Sequence, residues 1–328
     1  MTPTAPMPNF TDVLAAAARI AGRAHATPVI TSRALDAHAG AGLLFKCEQL
    51  QRIGAFKFRG ACNAVMSLDD TTATRGVVTH SSGNHGAALA LAAQDRGIPC
   101  HVVVPDGAVR AKLAAIEHYG AILHRCAATI AAREAMCAKV QADTGATTVH
   151  PYTDPRVIAG QGTAALELLT AHPDLEALVV PVGGGGLAAG TALAVRALAP
   201  DCRLYLAEPS GAADTARSFA RGALDHDMVP DTICDGLRGT LGAINFEILR
   251  NAGAQVLTVD DTQAVAAMRL LWTRTKQLLE PSSATVLAAV LANPALFARR
   301  RVGIILSGGN VDLDALPALF ALAGDAQP

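Results

Sequence analysis

The chain has 328 residues, 51% of them hydrophobic and 17% charged, enough to bury a substantial core in one or two domains. Lys and Arg total 27 against 28 for Asp and Glu, a balance without a basic field that excludes nucleic acid and anionic membrane as expected partners. Seven cysteines without close CxxC pairs argue against a zinc site and fit free thiols in a reducing compartment; no apolar run approaches a membrane span, and Met1 to Pro6 has neither a basic nor an apolar signal region, so a cytoplasmic protein is expected.

In chain order, the first informative segment is Gly54-Ala55-Phe56-Lys57-Phe58-Arg59-Gly60-Ala61. A lysine between two phenylalanines is poorly solvated, which disfavours the ammonium and favours a nucleophilic amine of the kind a Schiff base requires. The plainer reading is a surface lysine whose stem packs on Phe56 or Phe58. Next, the apolar stretch 76–78 leads into Thr79-His80-Ser81-Ser82-Gly83-Asn84-His85-Gly86 and then an Ala/Leu-rich run over 87–93. This reads as strand, turn and helix, with hydroxyls, an amide and backbone N–H groups gathered where a carboxylate or phosphate is stabilised. Simple capping by Ser82 or Asn84 would explain one of these residues and leave the rest of the cluster without a reason. Strands are expected at 101–104, 121–123 and 147–149, with helices at 108–118 and 130–142.

The second half repeats the alternation. Strands are expected at 178–182, 203–207, 255–259 and 302–306, and helices at 157–169, 187–198 and 262–279; residues 209–239 read as loop with short helix. Between strand and helix lie Gly183-Gly184-Gly185-Gly186, whose backbone can curl around an anion with its N–H groups inward. Gly184-x-Gly186-x-x-Ala189, with Glu208 after the next strand, also matches the dinucleotide fingerprint. A nicotinamide-dependent dehydrogenase is therefore a rival reading, although it explains neither Lys57 nor the Ser81–His85 turn. Finally, Leu306-Ser307-Gly308-Gly309-Asn310 places a hydroxyl at the end of an apolar strand, where it can meet a heterocyclic nitrogen.

A Schiff-base lysine, a glycine phosphate cup, a hydrogen-bonding serine and a carboxylate-binding turn form a pyridoxal phosphate site joined to an amino-acid site. Over roughly residues 27–313, with the motifs in order, the chain resembles the serine/threonine dehydratase and serine racemase family, fold type II pyridoxal phosphate enzymes that include hydroxyaspartate and phenylserine dehydratases. The resemblance implies an α/β protein of the tryptophan synthase β-like kind, with two open α/β domains and the cofactor in the cleft between them. Residues 1–75 and 154–328 would form the large domain and 76–153 an inserted small one.

By resemblance, Lys57 binds the cofactor and acts as base on one face. Phe56 lies beside the cofactor, Asn84 meets its 3′-hydroxyl, Gly183 to Gly186 hold its phosphate and Ser307 meets its pyridine nitrogen. Ser81, Ser82, Gly83, Asn84 and His85 bind the substrate carboxylate, and Ser82 matches the serine that moves a proton on the opposite face in racemases. Glu208, the Ala212 carbonyl and Asp214 match a site for magnesium, calcium or manganese, as hard oxygen ligands should. Without the resemblance, a solvated loop is the better reading of those two acids. The implied activity is β-elimination from an L-3-hydroxy amino acid to a 2-oxo acid and ammonia, with amino-acid racemisation as the alternative and a homodimer as the expected assembly. Arg133, with His80 and Lys112, suggests recognition of a β-carboxylate, unless Arg133 is a solvent-facing helix residue. Gly239, where serine racemases tend to carry serine, leaves room for a bulkier apolar β-substituent.

Overall fold

The computed structural model describes residues 6–108 and 110–322, without the side chains of residues 111 and 112. Among the described residues the strands are β1 (Val29–Ile30), β2 (Gly42–Cys47), β3 (Val77–His80), β4 (Cys100–Pro105), β5 (Ile122–Cys126), β6 (Thr147–Thr148), β7 (Ala177–Pro181), β8 (Arg203–Pro209), β9 (Gln255–Val259) and β10 (Arg301–Leu306). Six form one sheet in the order β1-β2-β10-β7-β8-β9, and four form another in the order β5-β4-β3-β6. Every pairing is parallel except the edge pair of β1 with β2. The chain is therefore α/β, as expected. Parallel strands covered on both faces read as continuous apolar runs, and all of β7 is buried.

The chain divides into two compact units. One comprises the chain up to His25 with Lys57–Gln161 and holds the four-stranded sheet; the other comprises Ala26–Phe56 with the chain from Gly162 onward and holds the six-stranded sheet. All strands of the smaller sheet lie within 76–153. The helices Phe10–Ile20 and Lys57–Met66 join that unit as well. The reason is packing: the Lys57 helix, buried from Phe58 to Val65, lies against the helix Asn84–Arg96, whose residues from His85 to Ala93 are buried. In the other unit, Leu43, Phe45, Val179, Tyr205, Val302 and Ile304 build the core from the sheet outward, and Tyr205 meets Phe297 edge-on at 4.9 Å.

Several elements differ from expectation. The helix expected over 262–279 spans Asp261–Thr275, because Lys276 adopts a left-handed conformation (φ 60°) and its N–H closes on the Trp272 carbonyl. Pro281 then opens a separate helix, Pro281–Ala292, buried through most of its length. Such a helix has no polar face from which a period can be read. The strand β2 was not anticipated either, since it carries a lysine. Lys46 is 2% exposed, donates to the Thr27 carbonyl at 2.7 Å and pairs with Glu167.

Candidate functional site

In the unit of the smaller sheet, the carboxyl end of β3 runs through Ser81 to Gly83 into the helix Asn84–Arg96. Gly83 is its N-cap (φ −120°, ψ −150°), with no side-chain cap and no acid in the first turn. Ser82 and Asn84 therefore do not cap this helix, and Asn84 is its first residue. First-turn N–H groups have no intrahelical acceptor and suit an anion. Ser81, Ser82, Gly83 and Asn84 are half-buried, and Ser81 Oγ accepts the Gly83 N–H at 3.4 Å. The His85 side chain points elsewhere: it is 2% exposed, its Nε2 faces the Val149 carbonyl at 3.3 Å and its Nδ1 has no hydrogen-bond partner. What His85 can offer the turn is its backbone N–H.

Lys57 opens the helix Lys57–Met66 and is half-buried; Phe58 is fully buried. Its Nζ donates to the Pro151 carbonyl at 2.9 Å. Around it lie three histidines that the sequence did not assemble. His80 and His150 meet edge-on at 5.3 Å, and His150 and Tyr152 at 4.6 Å. Burial, with the charges of His80 and Lys57, pushes the His150 imidazolium down to about 4. Burial and Lys57 hold His85 well below the ordinary histidine range. Burial and Arg133 lower His80. Arg133 is half-buried, donates to the Thr129 carbonyl at 3.4 Å and is felt at His80, the residue before the serine turn. The Lys112 side chain lies outside the described residues.

In the unit of the larger sheet, the carboxyl ends of its parallel strands carry the other residues singled out. After β7 come Gly183 to Gly186, and Gly185 caps the helix Gly186–Leu198 in a left-handed conformation (φ 89°), again with no side-chain cap and no acid in the first turn. A Cβ on Gly183 would lie 2.8 Å from Leu237 Cα; one on Gly185 would lie 2.6 Å from Leu241 Cδ1 and 2.9 Å from Asn245 Cβ. The Gly184 carbonyl accepts from Asn245 Nδ2 at 2.6 Å and from the Gly242 N–H at 3.2 Å. The loop is thus a fixed backbone cradle, and its donor set fits a phosphate. Asn245, Leu237 and His150 escaped sequence reasoning. Only His150 left a trace, as a histidine at the end of an expected strand.

Ser307 follows β10, is 4% exposed, and its carbonyl accepts the Phe56 N–H at 3.0 Å. Phe56 itself is half-buried. At Gly308 a Cβ would lie 2.9 Å from the Glu280 carboxylate, which would have to shift to admit it.

Glu208 and Asp214 are both wholly buried, and Ala212 sits in the turn Ser210–Ala212. Glu208 accepts the Thr215 and Ala216 N–H groups, each at 2.9 Å. Both Glu208 oxygens are thus turned to backbone N–H groups at the start of the helix Asp214–Arg221, with which a ribose hydroxyl would have to compete. Asp214 Oδ2 accepts the Leu241 N–H at 2.7 Å, while its Oδ1 is buried without a hydrogen-bond partner. Burial raises the Glu208 carboxyl to about 7 and raises Asp214 as well. An orphaned carboxylate oxygen beside a second buried acid fits a hard cation, although among the described residues no group of three His, Cys, Asp or Glu side chains could hold a metal.

Known proteins agree with this chemistry. The chain is 48% identical over 311 residues to a beta-hydroxyaspartate dehydratase of Paracoccus denitrificans, covering 95% of this chain and 99% of that protein. It is 47% identical over 303 residues to a serine racemase of Arabidopsis thaliana, covering 91% and 92%. The solved structure of maize serine racemase superposes with a TM-score of 0.93 at 44% identity, covering 95% of this chain and 97% of that one. The model of the family described as pyridoxal-phosphate dependent enzyme matches residues 20–308, and the chain belongs to that family.

Proposed function

We propose that the protein is a pyridoxal phosphate-dependent ammonia-lyase that converts an L-3-hydroxy amino acid, with 3-hydroxyaspartate favoured, into a 2-oxo acid and ammonia. The observation that carries this is the 48% identity to a beta-hydroxyaspartate dehydratase along 99% of that protein. The Arg133 charge felt beside the serine turn supports a second substrate carboxylate, while the glycine at 239 keeps an apolar β-substituent among the substrates to be tried.

When bound, the cofactor supplies the electron sink for the charge left at Cα. Lys57 Nζ removes the Cα proton. Backbone N–H groups of Gly183 to Gly186 hold the phosphate, Ser307 Oγ meets the pyridine nitrogen, Phe56 flanks the ring, and the Asn84 amide meets the 3′-hydroxyl. Ser81, Ser82, Gly83, Asn84 and the His85 N–H seat the substrate carboxylate, and Arg133 takes the β-carboxylate. Loss of water at Cβ, followed by hydrolysis of the released imine, balances to one 2-oxo acid and one ammonia.

Glu208, the Ala212 carbonyl and Asp214 hold a divalent cation, magnesium, calcium or manganese, in a structural role; the unpartnered Asp214 Oδ1 supports this. Seven free, buried cysteines support a reducing compartment, the cytoplasm. Among the described residues no helix is long and apolar enough to cross a membrane. A homodimer rests on the family resemblance and is checked by light scattering.

The test is a 2-oxo acid assay of the purified yellow enzyme over 3-hydroxyaspartate, serine, threonine and phenylserine. Failure to release ammonia and oxo acid from any of them removes the lyase reading. Racemisation on the same site is the second reading, favoured by the similarity to serine racemases. If Ser82 carries the opposite-face proton, Ser82→Ala loses racemisation and keeps part of the elimination; equal loss of both means that Ser82 only binds substrate.

A further inference from the structure

The carbonyl that receives Lys57 lies in a turn that a histidine side chain spans. Pairing with β3 continues past β6, since the Val149 N–H donates to the Val78 carbonyl at 2.9 Å. The chain then turns sharply over residues 150–153. Within that turn, His150 Nδ1 faces the backbone N–H of Tyr152 at 3.4 Å and that of Thr153 at 3.1 Å. A ring nitrogen that accepts from N–H groups carries no proton, so the neutral imidazole holds its proton on Nε2. This is the geometry by which Asx residues close a turn on their own backbone. The residue enclosed is Pro151, whose φ is fixed by its ring, and its carbonyl receives Lys57 Nζ at 2.9 Å.

We propose that His150 is a positioning residue for the cofactor-binding lysine: by accepting two backbone N–H groups at Nδ1, it closes the turn that aims the Pro151 carbonyl at Lys57 Nζ. The inference rests on the reading of Lys57 given above. The groups that face His150 are His80 and Tyr152 edge-on, with Lys57 and Asp154 near enough to act on its charge. Burial, His80 and Lys57 oppose its protonation more than Asp154 favours it, so the acceptor at Nδ1 persists at neutral pH. Its contribution is to fix the amine in one place before it engages the cofactor, which lowers the entropy lost on that step.

Apoprotein mixed with pyridoxal phosphate tests this, followed by the growth of the visible band of the lysine-bound cofactor and by the fraction fixed on borohydride reduction. Three substitutions separate the ring nitrogen from the ring. His150→Asn puts an amide oxygen close to the Nδ1 position, His150→Gln carries its oxygen too far out, and His150→Leu removes the acceptor. Cofactor capture should slow about tenfold, roughly the worth of one hydrogen bond, in His150→Leu and His150→Gln, and should return to within about threefold of wild type in His150→Asn. Melting curves of the apoproteins identify any variant that fails to fold, and the Gln and Asn pair then decides. Capture at the wild-type rate in His150→Gln, or His150→Asn as slow as His150→Gln, overturns the proposal. Failure of the parent reading looks different: wild type itself would fix no cofactor, or Lys57→Ala would fix as much as wild type.

Discussion

The two helix N-termini that follow β3 and β7 are built alike and finished differently. Each follows the carboxyl end of a parallel strand, lacks a side-chain cap and has no acid in its first turn. At the glycine turn, Gly183 and Gly185 are pressed against Leu237, Leu241 and Asn245, and Gly185 is held at φ 89°. At the serine turn only Gly86 is pressed, against the Ser81 carbonyl; a Cβ on Gly83 would meet nothing within 4 Å, and the surrounding hydroxyls are half-buried. A locked backbone suits one anion that stays, such as a cofactor phosphate. A roomier turn with rotatable hydroxyls suits an anion that enters and leaves at every turnover, such as a substrate carboxylate.

The most severe test removes the proposed cofactor-binding lysine. Lys57→Ala should lower turnover by on the order of 10³-fold or more, since in the proposed mechanism one side chain supplies both nucleophile and base. The cofactor should still bind through the glycine turn, yet wash out on dialysis and escape borohydride fixation. A variant that retains fixed cofactor at the wild-type level would show that another lysine holds it.

The next test sets the turns against each other. Gly185→Ala must place a Cβ at positive φ, which costs about 1–2 kcal/mol, and must displace Leu241 or Asn245, which costs about 1–3 kcal/mol more. Cofactor affinity should fall at least about tenfold, read by equilibrium dialysis. Gly83→Ala has open space and a negative φ of −120°, so cofactor affinity should hold within about twofold while KM for the amino acid rises. Equal loss of cofactor in both variants would erase the distinction.

Much of this site was legible because its parts are contiguous. Lys57, the serine turn, the glycine run and Ser307 each sit beside a strand or helix whose apolar period can be read along the chain. Residues that act by approach from a distant segment left no such mark. Asn245 reaches the Gly184 carbonyl from 61 positions away, and Lys57 meets Pro151 from 94. Nothing in the spacing of either segment predicts those meetings. The same holds for fold elements: β2 hides behind its buried Lys46, and the helix Pro281–Ala292 is buried from Pro281 to Val290. The acid pair shows the opposite failing. Its residues were visible, yet only burial, with the Asp214 Oδ1 left unpartnered, separates it from an ordinary solvated loop.

That acid pair offers a smaller test, because its proposed role is structural. If a cation neutralises Glu208 and Asp214, a concentration about 100-fold above its dissociation constant stabilises the fold by about 2.7 kcal/mol. In a chain of this size that corresponds to a melting temperature roughly 4 °C higher. Chelation should reverse the gain and lower activity with it, and magnesium, calcium or manganese should restore both. Glu208→Ala should melt low and ignore added metal. An unchanged melting curve on chelation would leave the two carboxylates as partners of backbone N–H groups alone.

The smallest effect is one of protons, and it sharpens the contrast between the turns, because the glycine turn is backbone and does not titrate. The serine turn has His80, His85 and His150 nearby, all displaced downward, His150 to about 4. Unfolded, each binds its proton near about 6.5. Between those values the unfolded chain holds more protons than the folded one, so stability rises with pH there and is lost as pH falls from about 6.5 toward 4. Each group contributes at most about 1.4 kcal/mol per pH unit, and His80 and His150 contribute less because they are only half-buried. Glu208, raised to about 7, acts with the opposite sign in metal-free protein, its share being lost as pH rises through that value. Subtraction removes it: the melting temperature of His150→Asn, measured against wild type from about pH 7.5 to about pH 5, isolates the share of one histidine. The wild-type curve should fall more steeply on acidification, and the two should converge as pH drops. Parallel curves would mean that His150 titrates alike in the folded and unfolded chain, and that the surroundings of the serine turn are as indifferent to pH as the glycines.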